Sequence, residues 1–92
     1  MADRITYSFS EEKNAFLKKE RGISFDEIIF LIENIGVLAT VQNKGRKYSH
    51  QKMFIINVNG YAYVVPFVYS KNEAFLKTVY PSRYYTKIFF GY

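Results

Sequence analysis

Residues 53–65 read Met-Phe-Ile-Ile-Asn-Val-Asn-Gly-Tyr-Ala-Tyr-Val-Val. Two runs rich in β-branched and aromatic side chains are separated by Asn59 and Gly60 alone. Both residues tolerate the positive φ of a type I′ turn, so this stretch predicts an antiparallel hairpin. The hairpin commits the second half of the chain to a sheet. Pro66 falls inside the second run and predicts an edge or a bulge there, because it has no N–H for a ladder. Ser70 to Glu73 makes the next turn, and residues 74–80 (Ala-Phe-Leu-Lys-Thr-Val-Tyr) read as the last strand. Pro81-Ser82 then opens a short C-terminal turn or helix.

The first half has a different period. Ile5, Tyr7 and Phe9 alternate along a short strand. Ser10 is placed to cap a helix whose first turn holds Glu11 and Glu12 and whose last turn holds Lys18, Lys19 and Arg21, matching the helix dipole at both ends. Gly22 suits the left-handed residue that ends such a helix. Ser24 and Glu27 have the spacing of a capping box. Phe25, Ile28, Ile29, Leu31 and Ile32 give the second helix a broad apolar face, and it should end between Asn34 and Gly36. Residues 37–41 follow as a strand or extended link. The expected fold is α+β: two N-terminal helices packed on one face of a mainly antiparallel sheet, in the order β-α-α-β-β-β-β, with a short C-terminal tail.

At 92 residues this is one domain, 1–92, with a small core. It is 49% hydrophobic and 20% aromatic, too apolar for a disordered chain. With no Cys and one His, neither a disulfide scaffold nor a thiolate metal site is available, and zinc is not expected. No apolar run reaches membrane-spanning length, and the first residues lack the apolar segment of a signal peptide, so a cytoplasmic protein is expected. Residues 1–43 carry five Lys/Arg against seven Asp/Glu, a net −2; residues 44–92 carry eight against one, a net +7. That asymmetry points to a polyanionic partner for the second half.

The stretch from Phe9 to Ile28, with Lys13-Asn14 in the first helix and then Gly22-Ile23-Ser24-Phe25-Asp26-Glu27, resembles the opening of BrnT-type toxins. The segment Leu76 to Lys87, with Ser82-Arg83 and a basic tail, is similar to that family's far end. The intervening Lys47-to-Val68 stretch is similar to a branch with a Tyr-x-x-Gln loop before the central strands. The resemblance covers nearly the whole chain. It implies a RelE/ParE-like fold and a metal-independent endoribonuclease needing no cofactor. With one His, such a site should be slow unless another body, such as the ribosome, positions the RNA. The resemblance also implies a cognate antitoxin, commonly a ribbon-helix-helix protein, through which alone the pair would meet operator DNA.

RNA cleavage through the 2′-hydroxyl needs a proton acceptor, stabilisation of charge on phosphorus and a proton for the leaving oxygen. Arg83 is the first candidate, since its planar fork matches phosphate oxygens. Lys13, facing out from the first turn of its helix toward the sheet's C-terminal segment, is the second. Arg21 stands where many family members have His. Tyr85 is the candidate for proton donation or base stacking. Arg46, Lys47, His50, Lys77 and Lys87 are candidates for holding the RNA backbone, with Lys77 expected mid-strand on the face of Phe75 and Val79. Each also has a plain structural reading as a solvated or core residue. Two rival functions stay open: a toxin-fold module that binds antitoxin or nucleic acid without cleaving, and a ParE-like gyrase poison.

Overall fold

The computed structural model describes residues 5–42 and 51–92. The chain runs β1 (Thr6–Phe9), α1 (Glu11–Arg21), α2 (Phe25–Asn34), β2 (Ala39–Gln42), β3 (Lys52–Val58), β4 (Tyr61–Ser70), β5 (Glu73–Leu76), β6 (Tyr80–Pro81) and α3 (Arg83–Phe90). The strands form one sheet in the order β1-β5-β4-β3-β2, with β6 also paired to β4. Every pairing is antiparallel except β1 with β5, which is parallel from Thr6↔Glu73 to Phe9↔Leu76. The α+β architecture and the expected element order are observed.

The local signals resolve as their chemistry dictates. Val58 pairs with Tyr61 across Asn59 (φ 54°) and Gly60 (φ 84°), a two-residue turn with both φ values positive. Ser24 accepts from the Glu27 N–H at 3.1 Å while the Glu27 carboxylate accepts from the Ser24 N–H at 3.2 Å, closing the capping box. Gly22 ends α1 at φ 67°.

Alternation sorts the sheet residues onto two faces. Phe54, Ile56, Val65, Phe67, Ala74 and Leu76 face the α1–α2 pair and pack with Leu17, Phe25 and Ile28. Burying each of these helix side chains is worth about 1.5–3 kcal/mol. Asn14, itself buried, braces the two helices: its side-chain oxygen accepts from the Phe25 N–H at 2.7 Å and its amide donates to Asp26 at 3.2 Å. Ile55, Ala62 and Val64 point the other way, into a smaller cluster with Tyr85 and Phe90 of α3. The sheet therefore separates the helix pair from the C-terminal helix.

Three expectations need correction. The last strand is not continuous over residues 74–80: β5 stops at Leu76, the chain bulges, and β6 resumes at Tyr80 and includes Pro81. Pro66 is not on an edge strand, because β4 is flanked by β3 on one side and by β5 and β6 on the other. The Pro66 carbonyl accepts from the Lys77 N–H at 2.8 Å, so its hydrogen-less nitrogen faces the same side, where β5 has ended and β6 has not begun. The break also disrupts the period of two. Lys77 is exposed with its ammonium 5.4 Å from the Phe75 ring centre, whereas Val79 is fully buried in the α1–α2 core.

Candidate nucleic-acid interface

The C-terminal segment expected as a turn or helix forms α3, held by the backbone of Ala62. The Ser82 N–H donates to the Ala62 carbonyl at 2.9 Å. The Ala62 N–H donates to the Thr86 hydroxyl at 2.8 Å, and that hydroxyl donates to the Ser82 carbonyl at 2.7 Å. Thr86 is buried, and Ser82 caps the helix by accepting from the Tyr85 N–H at 3.1 Å. Gly91 ends it at φ 80°. Beyond it, the Tyr92 hydroxyl donates to the Gly60 carbonyl, tying the chain end to the hairpin turn.

With Thr86, Tyr85 and Phe90 toward the sheet, the remaining side chains of α3 point outward. Tyr84 is 68% exposed and Ile88 55%, and Arg83 and Lys87, one helical turn apart, are both exposed. The Tyr84 and Tyr85 rings meet edge to face with centres 5.0 Å apart, so one tyrosine anchors the helix and the other lies open to solvent. Arg83 occupies the first helical position, and the first turn holds no acid. A cation there opposes the helix dipole, unlike Lys87 in the last turn, so helix stability does not account for Arg83.

Tyr80 lies opposite Val64 in the β4–β6 ladder and so shares the α3 side of the sheet. Burial, then the nearby Tyr85, raises its phenol above the ordinary tyrosine value. At neutral pH it is a proton-bearing hydroxyl, suited to donate rather than to accept a proton.

The other candidates are dispersed. Arg21 donates from Nη1 to the Val79 carbonyl at 2.5 Å, pinning the end of α1 to the bulge that precedes β6. Lys13 lies eight residues earlier on α1, about 12 Å along the axis at 1.5 Å per residue, with its ammonium 5.0 Å from the Phe16 ring centre. The end of α1 that bonds to the C-terminal segment is thus the Arg21 end, not the Lys13 end. Arg46, Lys47 and His50 lie outside the described residues. Sequence reasoning missed Tyr80 and Thr86. Two aromatics beside Arg83 signalled Tyr84, but no local pattern marks a hydroxyl that will meet Ala62 twenty-four residues away.

No protein-family model and no curated protein matches the chain. Among solved structures, it is similar to the solution structure of HP0894, a conserved hypothetical protein from Helicobacter pylori. The TM-score is 0.52 at 10% sequence identity, over 84% of this chain and 93% of that one. At that identity the likeness concerns the fold alone.

Proposed function

We propose that the protein is the toxin of a type II toxin–antitoxin pair, BrnT-like, that binds RNA through α3 and cleaves it without a metal ion. The observation that carries this reading is Arg83: an exposed guanidinium at a position its own helix does not favour, at the head of a helix that Ser82 caps, with exposed Tyr84 and Lys87 nearby on the same helix. Arg83 would clamp a phosphate and Lys87 would add charge one turn along. Tyr80, on the same side of the sheet as α3 and kept neutral, would be the phenol available for proton donation. An antitoxin would silence the protein by covering this face. The decisive experiment incubates the purified chain with single-stranded RNA and a chelator, then maps the ends. Products ending in 2′,3′-cyclic phosphate support the reading; intact RNA in the presence of ribosomes as well as in their absence removes the cleavage claim.

A second reading has its own support. Arg21 is engaged with the Val79 carbonyl, and Lys13 stands at the far end of α1, so two of the four proposed catalytic groups do not join Arg83. A module that binds RNA or antitoxin without cleaving needs only the α3 surface. Binding without cleavage in the same experiment selects it.

A further inference from the structure

The sheet face that α3 covers runs on beyond the helix. α3 packs over Ile55, Ala62 and Val64, while farther along β4 Val68 faces the same way. Phe75 lies opposite Val68 and Tyr80 opposite Val64, so both rings stand on the α3 side, about 13 Å apart at about 3.3 Å per residue of β4. They are 36% and 37% exposed. Lys77 lies between them in the chain, and its ammonium, 5.4 Å from the Phe75 ring centre, projects on this side too. Such a contact holds an exposed lysine only weakly, so the ammonium can turn to a phosphate. Beside Phe75 a groove of about 290 Å³, lined by Val68, Ser70, Lys71, Glu73 and Phe75, leaves room for a planar group against the ring. Glu73 is the single acid of residues 44–92, and its carboxylate accepts from the Ser8 hydroxyl at 2.5 Å. At its other end the line reaches the start of α3, where Arg83 follows Tyr80 by three residues.

We infer that Phe75 and Lys77 form a second RNA subsite, in which the Phe75 ring stacks an unpaired base and the Lys77 ammonium meets an adjoining phosphate of the strand that Arg83 holds. The subsite rests on the RNA reading above and extends it from α3 across the open sheet face. Its occupant must be unpaired, because a ring standing on a sheet can stack only a base whose own face is free. Charge favours the same occupant: Lys77 and Arg83 punctuate the line and Lys71 borders the groove, while the one acid nearby is tied to Ser8. At about 3.4 Å per nucleotide of a stacked strand, the line between the two rings takes about four nucleotides. Every base has a face to stack, so the subsite adds a preference for longer single strands and none for sequence.

The test uses the full chain and a fluorescent, unstructured single-stranded RNA in anisotropy titrations at several salt concentrations. Phe75→Leu keeps an apolar strand residue but removes the ring; it should weaken binding about tenfold and leave the salt slope unchanged. Phe75→Tyr keeps a ring face and should bind like the wild type. Lys77→Gln should reduce the log–log slope by about 0.7, the share of one phosphate. The same RNA annealed to its complement should not distinguish Phe75→Leu from the wild type, because its bases offer no free face. Thermal midpoints check that each variant is folded, and Lys77→Gln, at an exposed side chain, carries the test through its slope if Phe75→Leu does not fold. Phe75→Leu binding as tightly as the wild type overturns the inference and leaves Phe75 a ring merely shielded by Lys77. So does Phe75→Tyr losing as much affinity as Phe75→Leu, or an unchanged slope in Lys77→Gln. If Arg83→Ala still loses affinity in those cases, the RNA reading stands without the subsite; a wild-type chain that binds no RNA even at low salt removes both.

Discussion

Arg83 stands at the first position of α3 with no acid on its helix, so its removal should cost the fold little. Arg83→Ala should abolish RNA cleavage and growth inhibition while changing stability by no more than about 0.5 kcal/mol. Arg83→Lys should restore part of the activity, because the charge returns without the two-pronged geometry. A fully active Arg83→Ala protein would remove the clamp. Tyr80 gives a second prediction, in the alkaline range. Its phenol is raised by burial and by Tyr85, and Tyr7 is raised by burial and by Glu33. The folded state therefore prefers both hydroxyls neutral. Their contribution to stability is intact below the ordinary phenol value of about 10 and is lost as pH climbs through the raised values. Tyr80→Phe should flatten part of that alkaline fall in thermal midpoint; an identical fall in the variant would show that Tyr80 does not couple to folding. Arg83 was legible in the sequence because Pro81-Ser82 marks a helix start. Arg21 was only half legible: its place at a helix C-terminus could be read, but its bond to Val79 depends on a bulge that no nearby residue announces.

At the scale of elements, α3 depends on one hydroxyl. Thr86→Val keeps the shape but leaves the buried Ala62 N–H without an acceptor, which costs about 1–3 kcal/mol. For a domain of this size each kcal/mol lowers the midpoint by about 4–8 °C. Thr86→Ser retains the hydroxyl and should lose much less. Faster hydrogen exchange at the Ala62 amide in Thr86→Val, with the β3–β4 hairpin amides still protected, would localise the damage; unchanged exchange there would deny the anchor its role. The elements with self-contained chemistry were those the sequence resolved well: α1 with its Ser10 and Gly22 caps, α2 with its capping box, and the Asn59-Gly60 hairpin. The split of the last strand was not legible, because Lys77, Thr78 and Val79 continue an acceptable strand pattern. What breaks it is Pro66 on the neighbouring strand, which offers no N–H where a partner would need one.

Across the whole molecule, the sheet keeps an acidic helix on one side and a basic one on the other, which the charge difference between the two halves of the sequence foreshadowed. If α3 and the cations of the second half hold RNA through phosphates, affinity should fall steeply with salt. The expected log–log slope is about −0.7 for each phosphate neutralised on a single strand. Titrations at several salt concentrations measure it, and binding indifferent to salt would contradict a phosphate-led contact. Periodicity told which face each strand residue occupies but not which strand lies beside which, so the parallel pairing of β1 with β5 could not be read from the pattern. That pairing joins Thr6 to Glu73 and sets the Thr6 N–H on the Asn72 carbonyl. It has a consequence for the order in which the protein comes into being. A chain made from its N-terminus exposes Leu17, Phe25 and Ile28 long before β4 and β5 exist to cover them, and β1 waits for nearly the last strand. Folding must then be late and concerted, governed by contacts between distant residues and therefore slow for so short a chain. A ribosome stalled before Lys52 would carry a protein with helices but no floor to set them on.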